Sequence, residues 1–468
     1  MRMICKMEAF MDKFDLLKQR KVQIYKSSSE IRDKISQIID DDSFVELNTF
    51  SFSKNEFYNE EVNGLGVVTG YATIDGVSVY IVAQNGKALN GGLSKANCQK
   101  ITACLEKAYE NESPVVYLLE SQGVQVGEGV AVLEGIASVL NASNNLKGVA
   151  PQIAIAVGDV YGSTALLFAN ADFSYLTGNA CVCYTSPQVV AGSCKDVVGK
   201  DVIGGQKAVN GASSFAVKLL KEVKESIYKI INVLPSVSGL MVDSEDDYNR
   251  SCPSLNLSCD AKGVIDATFD KDTFVELNKN FASEVIVGIG RIGGISVASI
   301  IFDGGKDGVE LDLNNVIKIK NFANFVNDNG LPLVNFVNVK GIKADLKTCS
   351  TPVMTEVMNA LYNLSNNARI SVVYGKAIGL GYSMFASRQF GNAYTFAFAD
   401  AKISLLDGDA GAFVEFGTVD SSKLSELKEK YAEVEDAFNS AKIGCVDNII
   451  EPQFVRQFVI SALQTIVR

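Results

Sequence analysis

Residues 67–82 read VVTGYATIDGVSVYIV, and residues 285–301 read VIVGIGRIGGISVASII. Each has the pattern of a two-strand hairpin, and Ile74 and Ile292 within them lie 218 positions apart. The same offset of 218 links Pro114 in SPVVYLLESQGV to Pro332 in LPLVNFVNVKGI, and Gly123 to Gly341. An offset of 217 joins Ile153 in APQIAIAVGDVYG to Ile370 in NARISVVYGKAIG, Gly158 to Gly375, and Gly162 to Gly379; one of 221 joins Ala180 to Ala401. Apolar strands resemble one another, which explains one such match but not shared glycines along a series of them. The chain therefore holds two copies of one domain, over 1–240 and 260–468. The polar, acidic stretch SVSGLMVDSEDDYNRSCPSLNLSCD between them reads as a linker.

Within each copy the hairpin is followed by helix, strand, helix, strand and helix, which makes the fold α/β. Runs such as Val115 to Leu119 and Ile153 to Val157 are unbroken in apolar character, as buried strands require. Helices are expected over 95–110, 129–140 and 162–171 in the first copy, and over 316–327, 354–364 and 379–387 in the second. A polar helix is expected over 421–441. A more apolar one over 451–467 carries Phe454, Val455, Phe458 and Val459, either for packing its own core or as a contact between subunits.

Composition narrows the chemistry. The 468 residues carry a net charge of −11 and include no histidine and no tryptophan. Without histidine there is no Ser-His-Asp or Cys-His pair, no HExxH zinc site and no histidine general base. The acidic balance argues against a nucleic-acid partner. None of the 10 cysteines forms a CxxC pair, so no metal-ribbon motif is present, and reduced, scattered core thiols are expected. Cys181 and Cys183, the nearest two, are expected on opposite faces of a strand. No signal-peptide pattern and no apolar run of about 18 residues occurs, which points to a soluble, cytoplasmic chain.

Catalysis without histidine can rest on backbone amides. Glycine clusters at Gly91-Gly92, Gly158 to Gly162 and Gly375 to Gly381 border buried strands, and a strand that turns through glycine into a helix leaves unpaired N–H groups at the helix start. Such donors can hold an oxyanion. Tight turns or close packing are the structural alternative. No GxGxxG or GxxxxGK[ST] nucleotide motif is present. Glu120, Glu128 and Glu134 invite an acid–base reading against that of solvated side chains, and Lys87, Lys95 and Lys100 flank Gly91-Gly92, where they either meet phosphates or stand as ordinary exposed lysines.

Over nearly its full length the chain resembles the carboxyltransferase subunits of biotin-dependent acyl-CoA carboxylases and the α subunits of biotin-dependent acyl-CoA decarboxylases. The stretches that carry the resemblance include NGGLSKANCQKI, ESQGVQVGEGV, APQIAIAVGDVYG, NDNGLPLVNFVNVKGI, YGKAIGLGYSMFASR and IGCVDNIIEP, in the family's order and spacing. The resemblance implies two tandem crotonase-like (ββα superhelix) domains, the first on the acyl-CoA side and the second on the biotin side. A carboxyl group would pass between biotin and the acyl α-carbon. Two pairs of backbone amides would hold the thioester oxygen and the ureido oxygen, with no metal. The family's Ala-Gly-Gly-Ala turn falls on Tyr161 to Thr164, assigning the thioester oxygen to Gly162 and Ser163. Its Tyr-Gly-Gly-Ala-Tyr turn falls on Ile378 to Tyr382, assigning biotin to Leu380 and Gly381, beside Gly379. Its Asp-Ser-Gly-Gly-Ala-Arg segment falls on Glu120 to Gln125 and places Gly123 and Val124 in the binding set, as Gly341 and Ser383 are in the second domain.

The chain departs from the family at Gln122, Ser163 and Leu380, which replace glycines, at Gln125, which replaces arginine, and at Ser383, which replaces an acid. Its Lys340-to-Asp345 loop also lacks the family's two prolines. The resemblance further implies biotin on a separate carrier protein, since no Met-Lys-Met occurs in the chain. It also implies a biotin carboxylase or membrane decarboxylase subunit as partner, and a homo-oligomer, either a dimer or a trimer of dimers. A divergent relative acting as a binding or scaffold subunit is the alternative.

Overall fold

The computed structural model describes residues 12–467 apart from 56–59, 196–198, 212–214, 256–259, 347, 349–350, 408–409, 412–413, 415–424 and 427–435. Two compact units divide the chain, Met1–Tyr228 and Lys229–Arg468. The first is built on an eight-stranded sheet in the order Val45–Leu47, Val67–Ile74, Val77–Gln84, Val115–Ser121, Gln152–Tyr161, Phe173–Leu176 and Ala216–Val217; Val182–Cys183 pairs with Gln152–Tyr161 off this path. The hairpin is antiparallel and every later pairing is parallel. Helices Lys95–Glu110 and Ala131–Asn145 form the crossovers between parallel strands. The second unit repeats the scheme with nine strands. Its path runs through Val285–Ile292, Ile295–Phe302, Leu333–Ile342, Arg369–Ile378 and Asn392–Phe398, and its crossover helices are Leu313–Asp328 and Thr351–Ser365.

The two copies also match in detail. In both hairpins two turn residues have positive φ, Asp75 at 50° and Gly76 at 79°, Gly293 at 59° and Gly294 at 76°, as a two-residue type I′ turn demands. A buried or half-buried aspartate clamps each turn. Asp40 accepts from the Asp75 and Gly76 amides, both at 2.9 Å, and Asp270 from those of Gly293 and Gly294, both at 2.8 Å. The first crossover helix starts in each unit with a reciprocal cap, Ser94 with Asn97 and Asp312 with Asn315. It also carries a buried lysine whose ammonium group lies on backbone carbonyls: Lys100 on Gly64 and Val67, Lys318 on Phe281 and Ala282.

Several expectations change. The polar stretch after Pro235 is no free connector, because Met241 pairs with Ile295 and the Val242 amide donates to Gly294 at 3.0 Å. The apolar C-terminal helix, Val455–Ile466, is core: Val455, Val459, Ile460 and Leu463 are buried in the second unit. Helix Ala437–Lys442 is the described end of the 421–441 segment, of which 421–424 and 427–435 lie outside the described residues. Cys5, Cys259 and Cys349 also lie outside them. Cys181 and Cys183 share a face, with sulfurs 4.0 Å apart, because alternate residues of an extended chain point the same way. No described helix is long and apolar enough to cross a membrane.

Candidate functional site

In the first unit the site is made where Val115–Ser121 and Gln152–Tyr161 end. Glu120 lies against the bare backbones of Gly86 and Gly158, where a methyl group on either glycine would sit 2.4–2.5 Å from its carboxyl carbon. The ammonium of Lys34 holds that carboxylate at 3.1 Å. Beyond it the chain turns through Gly123, whose φ of 120° is open only to glycine without strain. Hydrogen bonds fix this loop: Gln122 N–H to Asn90 O at 3.0 Å, Leu93 N–H to Gly123 O at 2.9 Å, and Gln125 N–H to Leu93 O at 2.8 Å. The Val124 amide, between them, has no acceptor among the described residues. The buried Gln125 side chain closes the loop from below by donating to Gly92 O.

Helix Ser163–Asn170 begins beside this loop. Gly162 precedes it at φ 67°, and a methyl group there would stand 3.5 Å from the Gly123 Cα, so the two turns abut. The Gly162 amide donates to the Tyr184 carbonyl at 2.9 Å and is thereby spent as a ligand donor. Of the expected pair, Ser163 keeps a free amide among the described residues, as the first residue of a helix does. Val124 and Ser163 are thus the unpaired donors that the adjoining turns offer.

The second unit repeats the arrangement. Gly341 has φ 135°, and Gly379, at φ 52°, precedes helix Leu380–Phe385 and donates its amide to Ser404 O at 2.8 Å. Among the described residues the Leu380 and Gly381 amides have no acceptor. Gly381 is buried, and a methyl group on it would meet Val339 at 2.8 Å, so this helix start presses directly on its strand. Ser383 turns its hydroxyl back to Gly379 O at 3.4 Å. In the slot that Glu120 fills in the first unit stands Asn338, whose amide is satisfied by Gly305 O and the Lys376 N–H.

Other candidates separate from the site. Gly91 and Gly92 give their amides to Ala88 and Leu89, and a methyl group on Gly91 would overlap the Glu120 carbonyl at 1.9 Å, so that cluster is a close-packing turn. Glu128 caps the Lys95 amide at 2.6 Å, and Glu134 is exposed on its helix; neither joins Glu120 in an acid–base pair. Lys100 is buried, and burial lowers its pKa to about 8, while Lys87 extends into solvent beside Glu30. Sequence reasoning placed Val124 in the binding set but not as the amide that joins Ser163, because the Leu93–Val124 bridge that turns it outward is displayed only by the folded chain. Among the described residues no three Cys, Asp or Glu side chains gather as a metal site.

Two sheets of mostly parallel strands, each ending in turns that expose unpaired amides, define a protein with paired crotonase-like domains. Residues 24–468 match the family described as carboxyl transferase domain, and the chain belongs to that family. It is 30% identical over 454 residues to the methylmalonyl-CoA decarboxylase subunit alpha of Veillonella parvula, covering 92% of this chain and 89% of that one. It is 26% identical to the methylmalonyl-CoA carboxyltransferase 12S subunit of Propionibacterium freudenreichii, over 92% and 87% of the two chains. A crystal structure of the transcarboxylase 12S hexamer with methylmalonyl-coenzyme A bound superposes with a TM-score of 0.88 at 24% identity, covering 97% of this chain and 95% of that one, which fixes the fold.

Proposed function

We propose that this chain is the carboxyltransferase component of a biotin-dependent acyl-CoA carboxylase or decarboxylase. The carrying observation is the pair of free, glycine-set amides in each unit, Val124 in a loop with Ser163 at a helix start in the first, and Leu380 with Gly381 at a helix start in the second. Val124 and Ser163 would receive the thioester oxygen of an acyl-CoA, and by donating to it would stabilise the negative charge that builds there when the α-carbon loses a proton or a carboxylate. Leu380 and Gly381 fit the ureido oxygen of biotin, which is an acceptor of the kind two amides can hold. Biotin, when bound, brings or removes the carboxyl group. The role of the chain is to orient both partners with donors that need no reorganisation. A scaffold role has no use for amides left unpaired beside strictly positive-φ glycines, so the catalytic reading is preferred.

The biotin carrier is a separate chain in this reading, with a biotin carboxylase or membrane decarboxylase subunit as further partner. A homo-oligomer is proposed as well, supported by apolar side chains left in solvent on one helix of the second unit, Met354, Met358 and Tyr362 at 60, 60 and 69% exposure.

The test is release of CO2 from malonyl-, methylmalonyl- and glutaconyl-CoA with and without added biotin. Biotin-dependent release from at least one of them is expected. No release from any, together with no acyl-CoA binding by calorimetry, refutes the proposal.

A further inference from the structure

Cys181 and Cys183 bracket the strand residue Val182, which is paired with Val160 next to the Gly162 turn. Their sulfurs stand 4.0 Å apart, and Cys183 is only half-buried while Cys181 is buried. The segment is tied to the site by backbone bonds. Val160 N–H donates to Cys181 O at 2.8 Å, and Gly162 N–H donates to Tyr184 O at 2.9 Å. We propose that Cys181 and Cys183 form a reversible dithiol–disulfide site, oxidised by a low-molecular-weight disulfide, whose state sets the position of the Gly162 turn.

The chemistry balances. A thiolate at Cys183, the more accessible sulfur, attacks one sulfur of the small disulfide and expels one thiolate. Cys181 then attacks the Cys183 sulfur of the mixed disulfide and expels the second, so that two protein thiols are oxidised, one disulfide is reduced, and both protons pass to the released thiolates. Geometry makes the product strained. Alternate Cα atoms of an extended chain lie about 6.6 Å apart, near the upper limit of about 6.8 Å that a disulfide spans. Drawing the sulfurs from 4.0 Å to bonding distance shortens the segment and pulls on the Tyr184 carbonyl. A strained bond of this kind is easily reduced, as a reversible site requires. Around the pair, Asp159 is engaged by the Tyr161 hydroxyl and the Lys200 ammonium, and Cys181 donates to Lys200 O at 3.5 Å. Burial raises the Cys183 thiol to about 12, so little thiolate is present at neutral pH and exchange is slow.

The effect on turnover rests on the carboxyltransferase reading; formation of the bond does not. The experiment treats the full chain, in a Cys194→Ser background, with oxidised glutathione. Trypsin then releases residues 148–195 as one peptide holding both sulfurs. The expected result is an internal disulfide in that peptide, reversed by dithiothreitol, with faster hydrogen exchange of the Gly162 amide in the oxidised form. Biotin-dependent CO2 release should fall by about 100-fold, the loss typical of a displaced oxyanion donor, and C183S should escape this. Two thiols that still alkylate after treatment, or glutathione retained on Cys183, overturn the site. A disulfide that leaves Gly162 exchange unchanged overturns the coupling. A protein with no turnover at all refutes the function reading alone, because mass and exchange still decide the rest.

Discussion

Gln122, Ser163 and Leu380 stand where the family has glycine, yet none of the three has positive φ. The glycines that the backbone does require, Gly123, Gly162, Gly341 and Gly379, are all retained, at φ between 52° and 135°. Ser163 and Leu380 each open a helix, where any L residue is at ease and the amide remains free. Ser163→Gly should therefore change CO2 release only a few-fold. Gly123→Ala and Gly162→Ala force an alanine into strained backbone, at about 1–3 kcal/mol each, and by moving the Val124 or Ser163 amide should lower release about 10²- to 10³-fold. Equal losses for Ser163→Gly and Gly162→Ala would show that the side chain, not the turn, is what matters. Asp270 supplies a second residue-scale prediction. It is buried beside the fully buried Arg456, with 2.7 Å between them. Asp270→Ala leaves that guanidinium with the more distant Asp246 carboxylate, 3.8 Å away, and should cost about 3 kcal/mol by urea denaturation. Burial works against the Asp270 carboxylate, but the Gly294 amide and Arg456 outweigh it and its pKa falls below 3.8. The stability it contributes is thus complete above pH 3.8 and is lost as pH drops through the lower, folded value.

At the scale of elements, the hairpins and crossover helices were legible because apolar period and glycine position speak directly of them. Helix 162–171 is found as Ser163–Asn170, and 354–364 as Thr351–Ser365. What the sequence could not display was the use of each amide. The Gly91-Gly92 and Gly162 donors look alike on paper, and only the positions of Ala88, Leu89 and Tyr184 show that they are occupied. Lys100 and Lys318 were hidden for a related reason: a lysine in a helix reads as solvated until two carbonyls are found at its tip. Burial lowers both to about 8 from 10.5. Between those values the unfolded chain still binds protons that the folded chain has released, so these two groups make stability rise with pH. Urea midpoints measured from pH 8 to 10 should show a positive contribution that is lost in a Lys100→Met, Lys318→Met double variant.

At the scale of the whole molecule, an exposed apolar stripe on helix Thr351–Ser365 accompanies Val126, Val130 and Leu133 in the first unit, at 69, 77 and 57% exposure. Surfaces of this kind are uncommon on monomers when contiguous. Light scattering at micromolar concentration should report a dimer or a multiple of it, and Met358→Glu with Tyr362→Glu should shift the protein toward the monomer and lower CO2 release with it. A monomer in the unmodified protein would remove the proposed assembly.

A reaction centre written in backbone amides follows different rules of inheritance from one written in side chains. Every residue type except proline carries the N–H, so substitutions at Val124, Ser163 or Leu380 leave a donor in place, provided the four positive-φ glycines remain. Gene duplication is eased in the same way, because each copy inherits the glycine-set helix start and its free amide before any side chain has adapted to its own ligand. The two halves of this chain differ in what surrounds their turns, with Glu120 and Lys34 in one and Asn338 in the other. Of the donors, the helix-start amides of Ser163 and Leu380 are the equivalent ones, 217 positions apart, while the second donor of each pair comes from a different place in the two halves.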